Sequence, residues 1–197
     1  MEHSEIRHGR PIIPALFLAL WLGVVPLSAN PAQLGGVFLP DVRQIAGVHL
    51  VLNGIAIRTY SLLRVHVYVA GLYLEKRNHD ADAVLRSPQV KLLEVHFLHD
   101  VGQDAVRNAW RRGFAANCRP PCRLTPQDIE TFLSRVPGVR DGDVGMFLFT
   151  RDGLSVTFNG RLLGTTTNQY FAQQVLGTFL GPAPAAPDVK QSLMGGG

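Results

Sequence analysis

Leu52-Asn53-Gly54-Ile55-Ala56-Ile57-Arg58, followed by the apolar run 63–74 that ends in Gly71-Leu72-Tyr73-Leu74, decides how this chain is read. Both segments read as strands, and strands alternate faces. Arg58 therefore shares a face with Ala56 and Tyr60, opposite Ile55 and Ile57. A guanidinium taken out of water is costly unless an anion pairs with it. That anion is either a carboxylate of the protein itself or a carboxylate, phosphate or phenolate brought by a ligand.

Outward from this pair, tight-turn dipeptides punctuate apolar alternation: Asn53-Gly54, Asp152-Gly153 and Asn159-Gly160. They predict one antiparallel region running over 48–61 and returning along 63–74, and a second made of 144–150, 153–158 and a short 161–163. A strand over 91–98 lies between them, after a short helix over 80–85. Val106, Ala109, Trp110, Gly113 and Phe114 recur at three and four residues, which predicts a helix over 103–117 with one apolar stripe. Thr125-Pro126 reads as a cap with proline at the first helical position. Ile129, Phe132, Leu133 and Val136 face inward until Pro137-Gly138 stops that helix. A further helix begins near Thr167 or Asn168 and ends at Gly181-Pro182, burying Phe171, Ala172, Val175 and Phe179. Thr178 falls beside that stripe, where its hydroxyl either bonds back to a preceding carbonyl or faces a cavity. Gly195-Gly196-Gly197 reads as a frayed tail. Strands, helices, strands, helix is an α+β order: an antiparallel sheet covered by helices on one face, with room for a pocket between them.

The chain has 197 residues, of which 46% are hydrophobic and 17% charged, which suits one domain with a real core. Its beginning differs. Arg7 and Arg10 precede an apolar run over 11–27, then Ser28-Ala29-Asn30-Pro31-Ala32, the pattern of a secretory signal over 1–29 cleaved near 29–32. An uncleaved inner-membrane anchor is the alternative, although Pro14 and Pro26 make the segment a poor permanent span. Cleavage removes Glu2 and Glu5 together with the two arginines, so the net charge of +4 is unchanged. The expected location is periplasmic or secreted, with a domain over 36–194.

Cys118 and Cys122, separated by three residues of which two are proline, fit a local disulfide pinning a turn in an oxidising compartment. A redox motif would use Cys-x-x-Cys at a helix start, and this pair sits between a helix end and the next cap. Arg107, Arg111, Arg112, Arg119, Arg123 and Arg135 gather in the middle third. They could meet an anionic membrane surface transiently, or form a solvated face. No nucleic-acid motif is present. His96 and His99, three apart on a strand, point to opposite faces, and no His-Glu-x-x-His or Cys-x-x-Cys pair exists, so neither a metal site nor a cofactor is expected.

The stretches quoted above, with Leu93-Glu94-Val95-His96-Phe97-Leu98, Ala109-Trp110-Arg111-Arg112-Gly113-Phe114, Val156-Thr157-Phe158-Asn159-Gly160-Arg161-Leu162-Leu163-Gly164 and Phe179-Leu180-Gly181, resemble the bacterial chalcone isomerase-like family. The resemblance covers about 36–181 and implies an open-faced β-sandwich with helices on one face. In the plant isomerases of that family an arginine stabilises an enolate as a phenolate adds across an enone, and Arg58 matches it. Tyr68 falls where those enzymes place a threonine and could still donate a proton, and Thr178, followed by Phe179, matches a threonine of the last helix. Gly102 and Ala109 fall where the plant enzymes place a tyrosine and an asparagine, and offer no side-chain hydrogen bond. A fatty-acid-binding branch of the family uses the corresponding arginine to hold a carboxylate at the end of an apolar tunnel, which needs Arg58 and a hydroxyl only. The resemblance thus implies binding of a fatty acid or similar apolar carboxylate, with Arg58, Tyr68 and Thr178 at the head group and Leu72, Val175 and Phe179 along the tail. The alternatives are a true isomerase cyclising a phenolic enone with Arg58, Tyr68 and Thr178 as its catalytic residues, and a haem-binding protein with one pocket histidine.

Overall fold

A computed structural model describes Met1 and residues 32–45, 47–60 and 64–196. The expected signal segment lies outside the described residues. Among the described residues nine strands and five helices follow in the order β1 (Ala32–Leu34), β2 (Val37–Leu39), β3 (Val42–Ile45), β4 (Val48–Tyr60), β5 (Val65–Leu74), α1 (Ala81–Arg86), β6 (Lys91–Phe97), α2 (Gln103–Asn117), α3 (Pro126–Arg135), β7 (Val144–Thr150), β8 (Gly153–Phe158), β9 (Arg161–Thr166), α4 (Gln169–Leu180) and α5 (Pro187–Leu193). Strands β3 to β9 form one antiparallel meander in sequence order, and β1 and β2 form a separate hairpin.

The turn chemistry holds as expected at one of the three places. Asn159 and Gly160 take φ of +49° and +76° between the paired residues Phe158 and Arg161, the two positive angles that a type I′ hairpin demands. β7 and β8 are also joined by a hairpin, but its turn is Arg151-Asp152, one residue earlier than expected, with Gly153 opening β8 opposite Thr150 at φ +136°. Asn53-Gly54 does not turn the chain: it lies inside β4, where the pairing with β5 steps from Leu52–Tyr73 to Gly54–Leu72 and leaves Asn53 bulged out. The reason is tertiary. The Asn53 amide donates to the Leu193 carbonyl at 2.8 Å and its oxygen accepts from the Asn78 N–H at 2.7 Å, so the pair pins the C-terminal helix α5 to the sheet.

That helix, short and introduced by a proline- and alanine-rich segment, was not expected. It packs against β4 and buries Val189, Leu193 and Met194. The glycine tail is tied rather than frayed through Gly196: the Gly195 N–H bonds to Ser192 O at 3.0 Å and the Gly196 N–H to Gln191 O at 3.0 Å. Elsewhere the helices stand where the spacing places them. Asp80 caps α1, Thr125 and Asp128 form a reciprocal capping box on α3, and Asn168 caps α4.

The two sheet faces build two cores. Ala56, Ala70, Leu72, Leu74, Leu93 and Val95 point to the helices, with Phe114, Phe171, Val175 and Leu176 against them. On the other face Leu39, Leu50, Leu52, Val69, Tyr73 and Leu92 pack together, so the expected bare face is partly covered by the β1–β2 hairpin. This second face also buries charge. Arg43 donates to both oxygens of Glu94, at 3.1 Å from Nε and 2.7 Å from Nη2, and the His96 ring nitrogen Nε2 lies 2.7 Å from Glu94 Oε1. Burial alone would raise the Glu94 pKa, but the hydrogen bond to His96 and the charge and bonds of Arg43 outweigh it and hold the carboxyl below its ordinary range. A depressed carboxyl contributes stability that is whole above the unfolded-state value and is lost as pH falls through the folded one. Denaturant midpoints measured from neutral pH down through the carboxylate range should fall on acidification, and Glu94→Gln should flatten that fall; an unchanged acid slope would refute the assignment to Glu94.

Candidate ligand-binding site

Between the helical face of β5–β8 and the helices lies a cavity of about 220 Å³. Its floor is Tyr68, Val95, Phe97, Phe147 and Val156 from the sheet, and its walls are Val106, Trp110 and Gly113 of α2, Phe132 and Val136 with the end of α3, Thr178 and Phe179 of α4, and Val189 of α5. The stripe expected on α2 therefore divides. Phe114 is in the close-packed core, while Trp110, half-buried, stands at the cavity with its ring 5.1 Å from Phe132, 5.6 Å from Phe147 and 5.9 Å from Phe179. Sequence spacing finds a buried stripe but not the gap beside it, because the gap is made where four separate elements fail to meet.

Local irregularity shapes the floor. Between the Arg58–Tyr68 and Thr59–His66 pairs the register steps by one residue on β5, and the consecutive side chains of Val67 and Tyr68 both reach the cavity. Thr178 is brought close by Gly113, where a Cβ would sit 3.0 Å from the Thr178 methyl. The Thr178 hydroxyl donates to Val175 O at 2.8 Å, the back-bonded arrangement, so only its lone pairs face outward.

The expected site residues separate into three groups. Tyr68, Thr178 and Phe179 line the cavity. Leu72 and Val175 do not: both are fully buried in the core behind it, because their neighbours on each side fill the space they were expected to border. Arg58 is half-buried at the edge, opposite Tyr68 across β4 and β5, and it is not itself part of the cavity wall. Its charge reaches the Tyr68 hydroxyl. Burial pushes the Tyr68 pKa up to about 12, Arg58 opposes that rise and Asp188 of α5 adds to it. Tyr68 is thus a protonated hydrogen-bond donor throughout the neutral range, within reach of the Arg58 charge. Among the described residues no carboxylate pairs with Arg58 within 4.0 Å.

Among the described residues no histidine lines the cavity. Gly102 is the exposed residue before α2 and Ala109 is exposed beside the cavity, so neither brings a polar group to it. Among the described residues no cluster of His, Cys, Asp and Glu could hold a metal ion. Cys118 and Cys122 are joined in a disulfide between α2 and α3, as expected. Half of the basic cluster is occupied at home: Arg111 pairs with Glu130 at 3.1 Å, Arg107 donates to Val136 O and Ser134 O, and the Arg123 guanidinium lies 4.4 Å above the Tyr170 ring centroid.

The chain belongs to the chalcone isomerase-like family, whose profile matches residues 31–195. Among solved structures it is similar to a fatty-acid binding protein of Arabidopsis thaliana, with a TM-score of 0.66, 15% identity, and coverage of 81% of this chain and 92% of that one. At that identity the likeness establishes the shared fold. No curated protein matches the chain.

Proposed function

We infer that this protein is an exported carrier or receptor for a long-chain carboxylic acid, whose tail enters the apolar cavity and whose head group meets Tyr68 and Arg58. The cavity carries the reading. Among the described residues that line it, the only polar side-chain groups are the hydroxyls of Tyr68, Thr157 and Thr178 and the indole of Trp110, a composition suited to a hydrocarbon with one oriented polar end. The fatty-acid binding neighbour supports it, since that protein's fold places the same kind of sheet under the same kind of helices. The disulfide supports an oxidising compartment, which agrees with an exported protein. An isomerase needs donors placed where enolate charge develops, and Gly102 and Ala109 supply none while the Thr178 proton is already bonded.

The test is direct. Purified protein is extracted with organic solvent and the extract analysed by mass spectrometry, and stripped protein is titrated with saturated acids from octanoic to octadecanoic. A bound acid is expected in the extract, with affinity rising by about 0.8 kcal/mol per methylene until the cavity is full, and with the matching alcohols weaker. Affinity independent of chain length would refute a tail in the cavity.

A further inference from the structure

The main cavity has a neighbour on the other side of α3. A second chamber of about 190 Å³ opens between α3 and the β8–β9 hairpin, and Phe132, Val136, Val156 and Leu163 line both. These four apolar side chains stand between the two spaces, and an acyl chain reaching both would have to run among them. The far chamber is the more polar of the two, with Gln127, Asp128, Thr131 and Arg135 in its wall.

Most of that polarity is already spent. Asp128 accepts from the Thr125 N–H at 2.9 Å and from the Thr125 hydroxyl at 2.7 Å, and Gln127 donates to the Thr131 hydroxyl at 3.2 Å. Arg135 is different. Among the described residues no carboxylate pairs with it. At the end of α3 the Ser134 and Val136 carbonyls accept from Arg107 and Gln103, the latter at 3.0 Å, and not from Arg135. Instead it lies against the backbone of β9 at Gly164, where a Cβ would stand 2.3 Å from Arg135 Nη1. A side chain at that position would displace the guanidinium, so the glycine is what lets the cation lie along the chamber wall.

We propose that the far chamber is a second anion site and that the preferred ligand is a long-chain acid carrying a second acidic group at its other end, an α,ω-dicarboxylate, with one carboxylate at Tyr68 and Arg58 and the other at Arg135. This rests on the inferred acid-binding cavity and adds to it the chemistry of the opposite end. A plain fatty acid leaves Arg135 in water. A diacid gives it a charge-assisted, two-pronged partner at the rim, and pays no penalty for burying an unpaired carboxylate.

The probes are hexadecanoic, 16-hydroxyhexadecanoic and hexadecanedioic acids, titrated by calorimetry into the stripped protein and into two variants, Arg135→Gln and Gly164→Ala. The diacid is expected to bind about tenfold or more tighter than the monoacid, with the hydroxy acid between them. Arg135→Gln should abolish that advantage and leave monoacid affinity unchanged, and Gly164→Ala should reduce it by moving the guanidinium without removing its charge. A diacid that binds no tighter than the monoacid, or an advantage that survives Arg135→Gln, overturns the second site while leaving the acid-binding cavity standing. Failure of all three probes to bind overturns both.

Discussion

Gly54→Ala is expected to destabilise the protein by about 4 kcal/mol or more, although alanine is ordinarily harmless or better in place of glycine. The added methyl would stand 2.1 Å from the Ser192 carbonyl oxygen and 2.6 Å from that of Leu193. Both are backbone atoms of α5 and cannot rotate away, so the helix must lift from β4. Lifting it exposes Val189, Leu193 and Met194, each buried to within 7% of full, and side chains of this kind contribute roughly 1.5–3 kcal/mol apiece. It also breaks the Asn53–Leu193 hydrogen bond. Urea midpoints would show the loss, and limited proteolysis should cut near Lys190 in the variant but not in the parent. Gly102→Ala is the control, since nothing lies within 4 Å of its Cβ, and it should stay within about 0.5 kcal/mol. Because Ala186 and Val189 close one side of the cavity, acid binding should fail together with the docking of α5. Equal stability of the two variants would mean that α5 is not held where Gly54 meets it.

The same glycine shows how far the sequence could be read. Asn-Gly has one strong local meaning, a hairpin turn, and at Asn159-Gly160 that meaning is correct. At Asn53-Gly54 it is not, because the residues that make the site special, Ser192 and Leu193, lie about 140 positions away and leave no local trace. Helices with caps and periodic stripes were legible for the opposite reason: Thr125 with Asp128, or Val106 with Trp110 and Phe114, interact within one or two turns. The site lies between these cases. Tyr68, Thr178 and Phe179 reach the cavity, but Leu72 and Val175 share their faces and are sealed in the core, since alternation gives the direction of a side chain and not what fills the space in front of it. The Arg43–Glu94–His96 cluster has no local signature because its members sit on β3 and β6, with β4 and β5 between them in the sheet.

Arg58→Met should lower acid affinity by about 2–5 kcal/mol, roughly thirtyfold to several thousandfold, with little loss of folding stability. Methionine keeps much of the arginine's volume and removes the cation, so the apolar packing at the end of β4 is retained and the head group loses its counter-charge. The matching alcohols should be almost unaffected, which separates loss of charge from loss of shape. Two carboxylates compete for the interpretation. A ligand carboxylate would sit between Arg58 and the Tyr68 hydroxyl, which remains a donor because burial holds its pKa near 12. Asp188, at the start of α5, is the protein's own candidate, since its charge acts on the same hydroxyl. If Asp188 is the true partner, Arg58→Met will weaken the fold and leave acid binding intact, and Asp188→Asn will have the same two effects. If the ligand is the partner, Asp188→Asn will strengthen acid binding by removing a like charge that acts on the same hydroxyl, while Arg58→Met abolishes most of it. The opposite signs of the Asp188→Asn result decide between an arginine kept for the fold and one kept for a ligand.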